Sequence, residues 1–251
     1  SENPSPQSSP PTGKGGPDAA SQSSWLKGPA FPRILPFALF MAFIVVEELW
    51  RFLEGQGIVP SIEDITFFLY PIKALSTGAA LLYFLSSYTE LKWRDLSHLP
   101  HTLLSAGVGV FVFALWINLD YAIGEGAKGF DPTLLPEGIP RTASIAMRLL
   151  GAAVIVPVME EIFWRSFLIR YIVHKDFDRL PIGHFTWMSF AVSSVLFGLE
   201  HHLIVAGIVA GAIYNLLLYR TRSIAQCILA HGITNLALGI YVLQTGRWDF
   251  W

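Results

Sequence analysis

The sequence is poor in the residues on which several classes of protein depend. Its 251 residues include one cysteine, Cys227, so neither an intrachain disulfide nor a cysteine-based metal site can form. We interpret Cys227 as a small packing residue of a helix. Charged residues make up only 14% of the chain, against about 25% in soluble domains. The net charge is −2 and the basic residues do not cluster, so we expect no nucleic-acid partner.

Hydrophobic residues take the place of the missing charges. They make up 53% of the chain, and the mean hydropathy is +0.48. About 20 apolar residues in a row span a bilayer. Seven apolar segments follow one another, at about 33–50, 65–88, 101–121, 144–173, 184–201, 203–220 and 223–244. We therefore expect an all-α fold, a polytopic membrane helix bundle of about seven transmembrane helices.

The chain divides into a polar tail and this bundle. Residues 1–30 are rich in Ser, Pro and Gly, which predicts a disordered N-terminal tail. This tail lacks the residue order of a signal peptide, so the first apolar run is predicted to be a retained membrane helix. Residues 31–251 are predicted to form the membrane helix bundle.

The distribution of Lys and Arg predicts the orientation of the bundle. Ten of these residues fall on the side of the N-terminus and five on the other side, which favours a cytoplasmic N-terminus. The first group is Lys14, Lys27, Arg33, Lys92, Arg94, Arg170, Lys175, Arg179, Arg220 and Arg222, and the second is Arg51, Lys128, Arg141, Arg148 and Arg247.

Two adjacent glutamates, Glu160 and Glu161, interrupt the fourth apolar segment. An ionised carboxylate near the bilayer centre costs about 2.5 kcal/mol or more, and such acids usually face the interior of a bundle. Glu161 and Arg165 are four residues apart, so on a helix they share a face and can pair. Glu160 points about 100° away and lacks that partner. An unpaired buried carboxylate is suited to act as a general base.

Two later segments carry further polar residues. His201 follows Phe197 by four residues, at a link too short to cross the lipid headgroups. That hairpin tip is therefore predicted to lie inside the membrane, lining a cavity. His231 and Asn235 again share one helix face and offer hydrogen-bond donors for an oxyanion. Together these side chains could hydrolyse an amide without a covalent intermediate.

The three motifs in this order are similar to those of a known family. Glu-Glu-x-x-x-Arg at 160–165, Phe-x-x-x-His at 197–201 and His-x-x-x-Asn at 231–235 resemble the CPBP family. These are the CAAX prenyl proteases and bacteriocin-processing enzymes, which are intramembrane glutamic endopeptidases. The resemblance places the protease core at about 144–244. The first three segments match no motif.

The resemblance implies a role for each motif residue. Glu160 and His201 would activate a water molecule, and His231 and Asn235 would stabilise the oxyanion. Glu161 and Arg165 would support the site. The resemblance further implies an enzyme of the bacterial inner membrane that needs no cofactor. Its partners would be membrane lipids and a peptide or protein substrate, lipid-anchored or not.

Two alternatives stay open at this point. The chain has no His-Glu-x-x-His string, yet a zinc site built from Glu160, His201 and His231 is geometrically conceivable. The fold could also serve as a non-catalytic membrane scaffold or regulator, although all six polar motif residues are present.

Further residues have simpler interpretations. Glu47 and Arg51 are predicted to pair at a membrane interface, and Lys73 to extend to an interface. Glu200 is predicted to be a solvated loop acid. The less favoured interpretation is that it orients a histidine. Gly207 and Gly211 are predicted to permit close helix packing.

Overall fold

The computed structural model describes residues 26–62, 65–119 and 129–251. The predicted disordered tail, residues 1–30, lies outside this part of the chain except for 26–30. Over the described ranges the chain is helical and contains no strand, as an all-α fold requires.

Seven helical bodies account for most of the described residues, one for each predicted apolar segment. They are α1 Phe31–Gly55, α2 Thr66–Tyr83, α3 Leu99–Asn118, α4 Ile139–Tyr171, α5 Trp187–Leu199, α6 Ile204–Thr221 and α7 Ile224–Thr245. Short 3₁₀ turns lie between or after them, at Leu85–Ser87, Trp93–Ser97, Pro132–Leu134, Phe177–Arg179 and Trp248–Phe250. The predicted helix bundle is thus confirmed.

Four of these helices, α3, α4, α6 and α7, are long and apolar enough to cross a membrane. The 13 residues of α5 extend only about 20 Å, which is short of the roughly 30 Å hydrocarbon core. Only four residues, 200–203, separate α5 from α6. The α5–α6 pair is therefore a hairpin with one short arm.

Close packing of this hairpin depends on glycine. A β carbon on Gly207 would lie 2.8 Å from the Cα of Gly198, and one on Gly211 would lie 3.1 Å from the Cβ of Phe197. Real β carbons do not approach a backbone atom as closely as the first distance, so a side chain at Gly207 would push α6 away from α5. The predicted role of Gly207 and Gly211 is confirmed.

Helix α4 is not a regular α-helix along its length. The α-helical parts Ile139–Leu150, Val156–Glu161 and Ile169–Tyr171 alternate with two π-helical stretches, Gly151–Ile155 and Ile162–Leu168. The turn that carries Glu160 and Glu161 is therefore flanked on both sides by wider turns, which recur at functional sites. This helix lies in the middle of the bundle and contacts α1, α2, α5 and α7.

A second group of charges lies between α1 and α2. The Glu47 carboxylate lies 3.4 Å from Lys73 Nζ and 3.2 Å from Arg51 Nη2. The Glu47–Arg51 pair is thus confirmed, but Glu47 is buried inside the bundle. The prediction that Lys73 extends to an interface is wrong, because its side chain is buried against the Phe40 ring and Glu47.

Five of the ten basic residues assigned to the N-terminal side lie together at one end of the bundle. Arg33, Lys92, Arg94, Arg170 and Arg222 line one cavity of about 640 Å³ there. Arg33 forms two hydrogen bonds to the Glu90 carboxylate, of 2.8 and 2.6 Å, and the Ser166 hydroxyl also donates to Glu90. This buried ion pair joins the start of α1, the loop after α2 and helix α4.

We expect the Arg33–Glu90 pair to contribute stability that acid removes. Burial alone would raise the pKa of Glu90, but the hydrogen bonds and charge of Arg33, with Ser166, outweigh it and hold the pKa below 4.5. The contribution of a carboxylate with a lowered pKa is present above its unfolded pKa and is lost as the pH falls through the folded value. Glu90→Gln should lower the free energy of unfolding at pH 7 by about 3 kcal/mol, because it leaves Arg33 buried and unpaired.

Thermal unfolding in detergent at pH 7 and at pH 4 measures this effect. Glu137→Gln is the matched control, since the Glu137 side chain is 88% exposed and its pairing with Arg141 should count for little. The difference in stability between wild type and Glu90→Gln should be smaller at pH 4 than at pH 7. An equal difference at both pH values would contradict the role of the Arg33–Glu90 pair as a source of stability that acid removes.

Candidate active site

One buried carboxylate, Glu161, joins two of the predicted motifs. Its Oε1 accepts a hydrogen bond of 3.2 Å from Arg165 Nη1 and one of 2.9 Å from Nδ1 of His231. The exposed fraction is 0% for Glu161, 1% for Arg165 and 4% for His231. The predicted Glu161–Arg165 pair is confirmed. The contact with His231 adds a link from α4 to α7 that helical spacing alone does not reveal.

Arg165 extends this link to α5 and α6. Its guanidinium carbon lies 4.4 Å from the centre of the Phe197 ring and 5.4 Å from that of Tyr214. Its Nη2 donates to the carbonyl oxygen of Gly211 at 3.3 Å. A cation over aromatic faces and beside a carboxylate is stabilised without water. Arg165 therefore fixes the hairpin against the turn that carries the two glutamates.

Glu160 differs from its neighbour in having no lysine or arginine paired with it among the described residues. Its Oε2 is buried and has no hydrogen-bond partner among the described residues. His231 Nε2, at 3.9 Å, is beyond hydrogen-bond distance. Helical geometry turns Glu160 away from Arg165, as the sequence predicts, and toward a cavity inside the bundle.

His201 stands at the tip of the α5–α6 hairpin. Its Nδ1 lies 2.7 Å from the carbonyl oxygen of Phe197. Since a carbonyl oxygen only accepts, Nδ1 carries the hydrogen and Nε2 of a neutral ring is left as an acceptor. The ring packs edge-on against Trp116 of α3 at 5.2 Å between centroids. This tautomer leaves His201 able to accept a hydrogen bond from water in the cavity.

Asn235 lies one helical turn beyond His231 on α7. Its Nδ2 donates to the carbonyl oxygen of Ala152 at 2.8 Å. Ala152 belongs to the first π-helical stretch of α4, where the regular ladder of backbone hydrogen bonds is interrupted. The carboxamide has a second N–H hydrogen, which this contact leaves available for another acceptor.

Glu200 is a site residue that the sequence interpretation missed. The prediction of a solvated loop acid is wrong, because only 11% of its side chain is exposed and Trp164 Nε1 donates to its Oε1 at 3.0 Å. Polar atoms of Glu160, Glu200 and His201 all lie within 4.8 Å of one another. The one sequence signal for Glu200 is its position next to His201 at the tip of a short hairpin.

A single cavity of about 370 Å³ brings the predicted catalytic residues together. Glu160, His201, His231 and Asn235 line it, together with Glu200. Glu161 and Arg165 lie behind this wall. The arrangement thus separates residues that can touch a substrate from residues that hold them in place.

The metal alternative requires a different ligand set from the predicted one. The three groups close enough to share an ion in the described part of the chain are Glu160, Glu200 and His201, whereas His231 is held by Glu161. Two carboxylates and one imidazole are a donor set that zinc accepts. The predicted set of Glu160, His201 and His231 differs from this group in having His231 in place of Glu200.

Comparison with known proteins identifies the region that carries this site. Residues 142–237, from α4 to most of α7, match a family model described as "Type II CAAX prenyl endopeptidase Rce1-like". Over these residues the chain is similar to the Rce1-like family. The match includes all six polar motif residues, and it confirms the resemblance to the CAAX proteases. No curated protein and no solved structure matches the chain.

We expect Arg165 to be essential for the stability of this matched region. Arg165→Gln should lower the free energy of unfolding by about 3–5 kcal/mol, because it leaves the Glu161 carboxylate buried without its cation. Adding Glu161→Gln should restore part of that loss. Thermal unfolding of the single and double variants in detergent measures both effects.

Arg179→Gln is the control, since 79% of the Arg179 side chain is exposed and its pairing with Asp176 is loose. Equal stability of Arg165→Gln and Arg179→Gln would show that the buried pair has no structural role.

Proposed function

We propose that this protein is an intramembrane endopeptidase that hydrolyses a peptide bond with water activated by Glu160 and His201. The observation that carries the proposal is the unpaired carboxylate of Glu160 on the wall of a cavity inside the bundle. That cavity also presents His201, His231 and Asn235, within the region that matches an endopeptidase family.

The first step is attack of water on the scissile carbonyl carbon. The Glu160 carboxylate accepts one proton of the water, and Nε2 of His201 accepts a hydrogen bond from the other. The carbon–oxygen bond forms as the proton moves to Glu160. Two acceptors on one water also orient its lone pair toward the substrate.

The second step is stabilisation and collapse of the tetrahedral intermediate. Its oxyanion accepts hydrogen bonds from the remaining N–H of Asn235 and from Nε2 of His231 in the doubly protonated form of that ring. As the carbon–nitrogen bond breaks, Glu160 returns its proton to the leaving nitrogen. The products are a carboxylic acid and an amine, with no covalent enzyme intermediate.

Glu161 and Arg165 serve as positioning residues in this scheme. Glu161 holds the His231 ring through Nδ1, and Arg165 holds Glu161 while packing on Phe197, whose carbonyl fixes His201. One set of contacts thereby orients both histidines.

The family description suggests the class of substrate. The description names a prenyl endopeptidase, so we propose membrane-associated peptides and proteins as substrates, with lipid-anchored peptides the first to assay. We further propose an N-terminus on the cytoplasmic side of a bacterial inner membrane.

Removal of the general base should abolish turnover without unfolding the protein. Glu160→Gln is expected to lower kcat by about 10²–10⁴-fold, the usual contribution of such a base. Glu137→Gln, which changes an exposed glutamate of the loop before α4, should leave kcat unchanged. Cleavage of fluorogenic peptides by protein in nanodiscs, with thermal unfolding as the folding control, provides the measurement. Full activity of Glu160→Gln would overturn the proposed mechanism.

A zinc-dependent version of the same hydrolase is the second candidate, favoured by the proximity of Glu160, Glu200 and His201. In that version a chelator should abolish cleavage, zinc should restore it, and Glu200→Gln should reduce kcat as strongly as Glu160→Gln. Under the metal-free mechanism, chelation should have no effect and Glu200→Gln should retain most of the activity.

A further inference from the structure

The cavity of about 640 Å³ near the C-terminal end of α4 lies apart from the proposed catalytic residues. No described residue lines both this cavity and the one that contains Glu160. Ten residues of helix, or about 15 Å, separate Glu160 from Arg170, which lines the second cavity. The proposed function therefore gives this second cavity, hereafter the basic cavity, no role.

The basic cavity carries more positive than negative charge. Its walls hold five cations and three carboxylates, which are Arg33, Lys92, Arg94, Arg170 and Arg222, and Glu90, Asp95 and Asp178. Glu90 is occupied by its ion pair with Arg33. Asp95 accepts a hydrogen bond of 2.7 Å from the Ser223 hydroxyl. A cleft with an excess of one charge concentrates ions of the opposite sign, so this cavity is expected to attract anions.

Most of these cations have no acid partner of their own. Lys92, Arg94 and Arg222 form no ion pair within the described ranges. Arg170 is buried, and its Nε and Nη1 donate to backbone carbonyl oxygens at 2.5 and 2.9 Å rather than to a carboxylate. Its Nη1 and Nη2 each make one such contact and so keep a second N–H. The cavity therefore offers hydrogen-bond donors with positive charge to a ligand.

Arg222 adopts a backbone conformation that glycine usually supplies. It ends α6 with a φ of 51° and a ψ of 36°, in the left-handed region, and is the one non-glycine residue of the described ranges with a positive φ. Its side chain lies over Gly183, where a β carbon would come within 3.0 Å of the Arg222 Cγ. A side chain at such a position costs stability that glycine would not. Backbone strain of this kind is found at functional sites, which indicates a use for the guanidinium.

Exposed aromatic side chains place the basic cavity at the membrane surface. Trp93 lies between Lys92 and Arg94 in the chain and is 49% exposed. Tyr83 ends α2 and Trp187 begins α5 at the same end of the bundle, and they are 80% and 76% exposed. Tyr and Trp concentrate where lipid meets water. The cavity therefore lies at the depth of the lipid headgroups.

We propose that the basic cavity binds the phosphate group of an anionic ligand, with an anionic lipid headgroup as its source at this depth. Guanidinium groups match phosphate oxygens through paired N–H donors, and basic pockets between helices bind lipid headgroups in this way. Arg94, Arg170 and Arg222 supply the donors from the loop before α3, from α4 and from the end of α6. A bound phosphate joins these three segments. The proposal is independent of the proposed function.

Lipid binding to the full chain in a neutral detergent tests the proposal. By native mass spectrometry, the wild type should bind phosphatidylglycerol about tenfold more tightly than phosphatidylcholine, whose choline cation the basic cavity repels. Arg94→Gln and Arg222→Gln should each weaken phosphatidylglycerol binding about tenfold, as expected for loss of a charge-assisted hydrogen bond. Arg220→Gln is the matched control, because Arg220 is exposed on the last turn of α6 and does not line the cavity. It should bind as the wild type does.

Arg222→Gly separates loss of the ligand from loss of the fold. Glycine relieves the left-handed backbone at this position, so in the absence of lipid this variant should unfold at the wild-type temperature or above it. It should nevertheless bind phosphatidylglycerol as weakly as Arg222→Gln does. Wild-type binding by Arg222→Gly would overturn the proposal.

Inorganic phosphate identifies the source of the bound phosphate group. If phosphate fails to displace phosphatidylglycerol, and the lipid shows the expected dependence on Arg94 and Arg222, the ligand is the lipid headgroup. If phosphate displaces the lipid and raises the unfolding temperature of the wild type but not of Arg222→Gln, the phosphate site stands and the lipid source is overturned. Equal binding by Arg220→Gln and Arg222→Gln, or displacement by chloride at the same ionic strength, would overturn the site itself.

Discussion

The burial of one carboxylate, Glu161, governs the arrangement of the whole core. A charge inside a membrane bundle is stable only beside opposite charge and hydrogen-bond donors. Arg165 and His231 meet this requirement from the same helix and from α7. Because Arg165 also packs on Phe197, the π-flanked turn of α4, the hairpin and α7 are held in one arrangement. The neighbouring Glu160 is left unpaired, because helical geometry turns it away from Arg165 and His231 is held by Glu161.

Sequence patterns predict the features of this core that lie within one helix. Helical periodicity is enough to place Glu161 beside Arg165, and lengths of apolar runs are enough to count seven helices. Contacts between helices do not follow from these patterns. Lys73 is buried because Glu47 of α1 approaches it across a helix interface, and Glu200 enters the site because Trp164 of α4 holds it. Neither neighbour follows from spacing along the chain.

The helices without a motif still form part of the candidate site. Trp116 of α3 packs on the His201 ring, and Tyr70 of α2 lies under the Arg148 guanidinium. Gly151 belongs to the same contact, since a β carbon there would lie 2.9 Å from Cζ of Tyr70. The matched region therefore contains the proposed catalytic residues. Helices α2 and α3 shape the cavity, so they can influence which substrates fit.

The order of the elements along the chain has a consequence for biosynthesis. Helix α5 is too short to be inserted as a span of its own, so it must enter the bilayer together with α6. The contact of Glu161 with His231 and the proposed oxyanion donors form only once α7, which carries His231 and Asn235, has been inserted. A ribosome-bound chain that ends before α7 has Glu160 and His201 but no assembled site. Under the proposed mechanism, hydrolysis can therefore begin only after the seventh helix has been inserted.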